Sequence, residues 1–406
     1  MESILYRLNS QSVWREYLEY KLEKGHLSKK DQEALAEFIE LKKYEDTVTR
    51  ILDGEPLSTP NKKLVNKIGG SKRVVYSFQD DENRILKLLA YLLYRYDDQQ
   101  SPGCYSFRKG FGVHRAIKKI ITTPNISKMW SYKLDIKNYF NSISIPILLP
   151  MLERIACDDP LLCRFLRQML SEDKAYSDGE LIRENRGVMA GTPTSPFLAN
   201  IYLKELDSYF TDRDILYARY SDDIIVFAET EEQLTEYRNI LYEFLRKYEL
   251  SVNTKKESVS RPSESWDYLG FEYRDGRIDL SSATKQKLKG RIKRKARALY
   301  RWKLRKDATD EQTMRVMIRI FNRKFYETGN VHDLTWSRWF FPVVTEKTGF
   351  QEIDAYLQQY IRYISSGSHS KKNYKTSYNT LKELGYRSLV NEYYQFREKT
   401  MVQKKI

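Results

Sequence analysis

Two adjacent carboxylates stand between apolar runs in Tyr217-Ala218-Arg219-Tyr220-Ser221-Asp222-Asp223-Ile224-Ile225-Val226-Phe227. The flanking residues read as two short strands, with Ser-Asp-Asp as the tight turn between them. Like charges on so short a turn repel. A fold keeps them together when a divalent cation, or a third carboxylate plus a cation, offsets the cost. Asp pairs in turns are common and usually only solvated, so the rest of the chain must supply what such a site needs.

A third carboxylate is available. Trp130-Ser131-Tyr132-Lys133-Leu134-Asp135-Ile136 alternates large and polar residues as a half-buried strand does, with Asp135 near its end. Lys137-Asn138-Tyr139-Phe140-Asn141-Ser142-Ile143 follows like a helical turn. A strand-end Asp beside a hairpin-borne pair has the make-up of a clamp for two Mg2+ ions, which in phosphoryl transfer stand about 3.5–4 Å apart. One ion lowers the pKa of an attacking 3′-hydroxyl and the other neutralises a leaving pyrophosphate. Mg2+ takes oxygen ligands and keeps several waters, so few protein ligands are needed. Mn2+ is an acceptable substitute.

Further stretches follow in order. Lys133-Leu134-Asp135-Ile136 with Tyr139-Phe140 comes first. Gly187-Val188-Met189-Ala190-Gly191-Thr192-Pro193-Thr194-Ser195-Pro196-Phe197-Leu198-Ala199-Asn200 is second, and the Tyr-x-Asp-Asp hairpin third. Leu250-Ser251-Val252-Asn253-Thr254-Lys255-Lys256 and Tyr268-Leu269-Gly270-Phe271 complete the set. Together they resemble motifs A to E of reverse transcriptases of the bacterial type. The resemblance implies that Asp135 and Asp222 are the main metal ligands, helped by the Ile136 carbonyl. Asp223 also faces the metals, shaping the field and the primer end more than ligating. Phe140 would lie under the incoming sugar and block a 2′-hydroxyl, selecting deoxynucleotides; packing in the core is its other reading. Lys256 is the candidate acid for the leaving pyrophosphate, with Lys255 as competitor.

Gly191 lets backbone approach a nucleotide without a Cβ in the way. Pro193 and Pro196 stiffen that loop, and Ser195-Pro196 opens a helix through Asn200 and Tyr202. The chain departs from retroviral-type enzymes in carrying Ala190 where Gln is frequent, which removes one polar contact near the nucleotide. Ile68-Gly69-Gly70-Ser71-Lys72-Arg73-Val74 resembles a fingers hairpin in which Lys72 and Arg73 hold the triphosphate. Tyr105-Ser106-Phe107-Arg108-Lys109-Gly110 resembles another fingers element, in which Arg108 and Lys109 touch template or triphosphate.

The formal charge of +15 over 406 residues implies a polyanionic partner. Thirty-one tyrosines among the basic residues suit single-stranded nucleic acid, where bases stack on rings while cations follow phosphates. Lys285 to Lys306 holds twelve Lys or Arg residues and no acid, with Leu288, Ile292, Ala296 and Leu299 at helical spacing. Its place after motif E resembles a thumb helix, with Lys289, Arg291, Arg294 and Arg297 along the phosphates of a template–primer duplex. A membrane-surface helix is the competing reading of such a pattern, but the polymerase motifs already account for the charge. Cys104, Cys157 and Cys163 show no metal-ligand spacing and no disulfide scaffold, which points to a reducing cytosol. Neither a signal peptide nor a membrane-spanning run is visible, so a cytoplasmic enzyme with no membrane partner is expected.

The expected architecture is an α+β right hand. Residues 1–66 form a helical extension, 67–280 fingers and palm with a small antiparallel sheet, 281–345 a helical thumb, and 346–406 a helical C-terminal extension. The chain shows no zinc-ligand endonuclease segment, no Val-Thr-Gly signature of retron enzymes and no RNase H carboxylate set. It looks most like the antiphage-defence reverse transcriptases of the abortive-infection and unknown-group classes. That resemblance implies an RNA template, in such families a noncoding RNA, together with a DNA primer or product and dNTPs. Untemplated or protein-primed DNA synthesis, a non-catalytic RNA-binding role and RNA-dependent RNA synthesis are the alternatives, and Phe140 argues against the last.

Overall fold

The computed structural model describes residues 2–24, 27–66, 72–183, 187–326 and 335–403. The chain divides into one compact unit ending at Glu264 and a second that begins at Ser265. Among the described residues no helix is long and apolar enough to cross a membrane.

The first unit opens with α1 (Gln11–Lys24), α2 (Lys29–Glu40) and α3 (Glu45–Asp53). Ser28 caps α2 by accepting the Asp31 N–H at 3.2 Å. Leu35, Phe38 and Ile39 bury the apolar stripe of that helix, and Phe38 meets Trp14 edge to face. Gly54 ends α3 in the left-handed conformation. The helical extension stops short of residue 66, because Asn61–Asn66 is strand β1, paired antiparallel with β2 (Lys72–Ser77). Pro60 forbids helical continuation into this stretch, and Lys63-Leu64-Val65 lacks helical apolar spacing.

Helices α4 (Asp80–Leu92) and α5 (Val113–Ile121) lead into β3 (Trp130–Asp135). Next come α6 (Tyr139–Ser142), α7 (Ile145–Ile155), α8 (Pro160–Ser171), and the hairpin of β4 (Lys174–Ser177) and β5 (Glu180–Arg183). Helices α9 (Ser195–Tyr202) and α10 (Lys204–Thr211) precede β6 (Tyr217–Tyr220) and β7 (Asp223–Ala228). The unit closes with α11 (Glu231–Lys247) and β8 (Ser258–Ser260). One sheet has the order β2-β1-β4-β5 and the other β6-β7-β3-β8. In the second sheet β3 is central and antiparallel to both neighbours. Its buried residues Tyr132 and Leu134, with Ile224 and Val226 of β7, join the helices in one continuous core.

The second unit begins with a three-stranded sheet, β9 (Trp266–Tyr268), β10 (Phe271–Arg274) and β11 (Arg277–Leu280). Helices α12 (Ser282–Lys306), α13 (Asp310–Phe325), α14 (Trp336–Phe340), α15 (Thr348–Ser366), α16 (Tyr378–Glu383) and α17 (Leu389–Gln403) follow. Leu288, Ile292, Ala296 and Leu299 are the buried stripe of α12, as their spacing predicts. Two expected boundaries move. The division falls after Glu264 rather than at 280, because β9–β11 form their own sheet and Ile278 and Asp279 bond to Thr345 and Gly349. A division at 345 is absent, because α12 packs chiefly against α15. The aromatic block at Trp336 is core, its indole against Phe325, Phe340 and Phe350.

Candidate active site

The register of β3 and β7 sets Asp135 directly opposite Asp223. Cross-strand partners lie on one face of a sheet, so both carboxylates share a side. The two strands β6 and β7 are joined by Ser221 and Asp222 alone, since Tyr220 already pairs with Asp223. Asp223 is therefore a strand residue rather than part of the turn. The Ile136 N–H donates to the Asp222 carbonyl at 3.0 Å, locking the end of β3 to the turn. Ser221 sits at φ 61°, a left-handed conformation that a side chain disfavours. Two bonds hold it there. Its N–H donates to Ser106 Oγ at 2.9 Å, and its carbonyl accepts from Arg219 at 3.2 Å.

The three acids feel one another. Burial raises the Asp222 carboxyl above the ordinary range, and the charge of Asp135 adds to it. Burial, then Asp222 and Asp135, push Asp223 up to about 7. Lys256 offsets part of this charge: its Nζ donates to Asp135 Oδ1 at 2.6 Å. Burial works against the Lys256 proton, but the bond to Asp135 and the neighbouring acids outweigh it and raise its pKa. Of the two candidate lysines, Lys256 is the one that reaches the acids. Asn253, three residues earlier, donates through Nδ2 to Asp135 Oδ2 at 3.0 Å. Among the described residues no three acidic, His or Cys side chains converge as a complete ligand set. An oxygen-only, incomplete donor set, in which Asp135 raises the pKa of Asp222 and both raise that of Asp223, fits hard divalent ions that retain waters and take ligands from substrate.

Beneath the hairpin lies a network that sequence reasoning missed. Arg219 is fully buried and bonds Asp207 through Nε at 2.7 Å and Nη2 at 2.6 Å. Burial opposes its charge, and Asp207 more than restores it. Asn200 of α9 joins Arg219 to Ser106, and the Arg219 N–H and carbonyl bond the loop at Gly103 and Tyr105. The available signal was a lone cation inside an otherwise apolar strand, which a buried carboxylate must answer.

The reverse transcriptase (RNA-dependent DNA polymerase) family matches residues 65–273, just over half of the chain. The chain belongs to the reverse transcriptase family. It is 24% identical over 233 residues to the retron Ec86 reverse transcriptase of Escherichia coli, covering 56% of this chain and 67% of that protein. With the retron Ec83 reverse transcriptase of Escherichia coli it shares 31% over 114 residues, 27% of this chain and 35% of that one. A solved telomerase from Candida albicans, in complex with a fragment of telomeric RNA, is similar at 14% identity. That likeness covers 86% of this chain and 68% of the other, with a TM-score of 0.46. The molecule is thus an RNA-directed DNA polymerase of α+β fold, related to retron enzymes although it lacks their Val-Thr-Gly signature.

In this reverse transcriptase Phe140 is half-buried, its ring 6.2 Å from Phe107, which in turn lies 6.3 Å from Tyr220 of the hairpin. Phe107 is a second residue missed in the sequence. Gly187 is a third: it has φ 94°, and a Cβ there would stand 2.7 Å from Asn141 Cα and 2.9 Å from the Phe140 carbonyl. Gly191 is needed for close approach, but to the fingers strand: a Cβ there would meet Tyr76 O and Val75 Cβ at 3.2 Å. The neighbouring Ala190 is buried, and its carbonyl accepts the Tyr76 N–H at 2.8 Å.

The predicted phosphate and nucleic-acid contacts fare unevenly. Lys72 and Arg73 are exposed neighbours on β2, so they point to opposite faces and cannot grip one group as a pair from the strand. Residues 68–71 of that motif lie outside the described residues. Arg108 is not a template contact. It is buried, and its guanidinium donates to the carbonyls of Ser101, Cys104 and Asp97 at 2.6–2.9 Å while lying over the Phe111 ring. Those three carbonyls and that of Gln100 occupy the two terminal nitrogens that a phosphate would use, while the buried Nε has no hydrogen-bond partner among the described residues. Lys109 is exposed. On α12, Arg294 and Arg297 are exposed and Arg291 is half-buried. Lys289 instead pairs with Glu352 of α15 at 2.5 Å, because it borders the apolar stripe that faces that helix.

Proposed function

We propose that this reverse transcriptase copies a noncoding RNA that it binds, extending DNA with deoxynucleotides, and that it serves bacterial defence against phage. One observation carries the catalytic part: Asp135, Asp222 and Asp223 gathered at the end of the β3–β7 pair, with Lys256 on Asp135. Asp135 and Asp222, with the Ile136 carbonyl, would hold two Mg2+ or Mn2+ ions, and Asp223 would set the field beside them. Bound there, the ions would activate the 3′-hydroxyl and neutralise the leaving pyrophosphate. Lys256 keeps its proton near these acids, ready for pyrophosphate. Phe140, backed by Phe107, would bar a 2′-hydroxyl. Either Lys72 or Arg73 would meet the triphosphate, and Lys109, Arg291, Arg294 and Arg297 would follow nucleic-acid phosphates. The defence role rests on the resemblance of the polymerase core and its flanking helices to defence enzymes.

The test is to purify the protein from cells with its bound nucleic acid, then sequence both the RNA and the DNA made on adding dNTPs. DNA complementary to one co-purified RNA, together with loss of phage protection by an Asp222→Asn variant, is the expected result. DNA without a complement, or linked to a side chain of the protein, would replace templated copying with untemplated or protein-primed synthesis.

A further inference from the structure

The carboxyl end of α15 and the segment after it border an open cavity of about 310 Å3, lined by Gln359, Arg362, His369, Ser370, Lys371 and Asn373. None of the six is acidic. Gln359 and Arg362 are three residues apart on α15 and share a face. The other four follow Gly367, which ends α15 in the left-handed conformation and where a Cβ would strike the Tyr300 ring.

The walls are held in place. Asn373 is buried; its Nδ2 donates to the Ser368 carbonyl at 2.6 Å and its Oδ1 accepts from Ser366 at 2.8 Å. Arg362 Nε donates to the Thr376 carbonyl at 2.8 Å, which fixes the guanidinium plane at the wall. Lys303 of α12, ion-paired with Asp310, also donates to the Ser365 carbonyl at 3.1 Å at the end of α15. An aromatic row leads away. His369 lies 4.8 Å from Tyr360 and 5.2 Å from Tyr363, Tyr360 lies 4.8 Å from Tyr356, and Lys289 Nζ stands 5.2 Å over Tyr356.

A guanidinium, an ammonium, an imidazole, a hydroxyl and amides, with no acid among the described lining residues, suit an anion with several acceptor oxygens. Rings interleaved with cations suit the bases attached to it. We propose that this cavity binds the phosphate of a nucleotide, carried either on the 5′ end of an RNA strand or on a free nucleotide. The site lies in the second compact unit, shares no residue with the aspartate cluster, and does not depend on the polymerase reading.

The experiment is fluorescence anisotropy on the full chain with a short labelled single-stranded RNA in 5′-phosphate and 5′-hydroxyl forms, with ATP as competitor. A 5′-phosphate should tighten binding roughly tenfold, the size of one charge-assisted contact. Lys371→Ala and Arg362→Gln should each erase most of that gain and leave the 5′-hydroxyl form unchanged. Displacement by ATP in the wild type, but not in Lys371→Ala, assigns the pocket to free nucleotides; persistence of the gain under ATP assigns it to the RNA end. Equal affinity for both RNAs together with no effect of ATP would overturn the proposal. Arg362 also supports the loop, so Lys371→Ala, on an exposed side chain, decides the matter if the Arg362 variant does not fold.

Discussion

Arg219 and Asp207 form a fully buried, doubly bonded pair directly behind the turn that bears Asp222. Taking two charges out of water is costly, and the pair is tolerated because Asn200, Tyr217 and the Ser221 carbonyl satisfy its remaining groups. Arg219→Met would leave Asp207 buried without its cation, with the Tyr217 hydroxyl still bonded to it. The expected loss is about 3–5 kcal/mol in urea unfolding, since breaking one side of a buried pair strands the other. A loss below about 1 kcal/mol would mean that the pair behaves like a surface bridge. Phe140 tests a different property. Trimming it to Ala should raise ribonucleotide incorporation relative to deoxynucleotide incorporation, measured as the ratio of kcat/KM values, and an unchanged ratio would reduce Phe140 to core packing.

Helices α10 and α11 are tied by Glu205, which accepts from the Tyr248 hydroxyl at 2.7 Å and from Lys247 at 3.0 Å. These bonds, Tyr248 first, hold its carboxyl down at about 2. A carboxyl held below its ordinary pKa stabilises the fold above that ordinary value and loses its contribution as pH falls through the folded-state pKa. The melting-temperature gap between the wild type and Glu205→Gln should therefore be present at neutral pH and close between about pH 4.5 and 2. The stability difference behind that gap should not exceed about 1 kcal/mol, because both partners of the Lys247–Glu205 pair are over a third exposed and screened. What could be read from the sequence at this level was whatever local periodicity or end chemistry encodes. The Ser28 cap, the Gly54 stop and the α12 stripe are of that kind. The β1 strand was less legible, because its short apolar stretch carries little alternation and its second partner, β4, lies more than a hundred residues away. The direction of Arg108 was invisible for a similar reason: only the folded loop gathers the carbonyls of Asp97, Ser101 and Cys104 around it.

The whole chain joins a family-matched polymerase core to an excess of positive charge, +15 in all. The ordered motifs made the aspartates legible, since Asp135 and the hairpin each sit at strand ends that short-range alternation predicts. Their mutual register, the Asn253 contact and the supporting Arg219 network arise from long-range pairing, and emerged only with the fold. The most direct measurement is deoxynucleotide incorporation on an RNA template with a DNA primer and Mg2+, comparing the wild type with Asp135→Asn and Asp222→Asn. Each variant should keep its circular dichroism spectrum, and Asp222→Asn should melt no lower than the wild type, since burial and Asp135 disfavour the charge it removes. The rate should fall by roughly a thousandfold, the loss of several kcal/mol of charge stabilisation at the reacting phosphate. Folded variants that polymerise at the wild-type rate would contradict the assignment of these carboxylates as the catalytic centre.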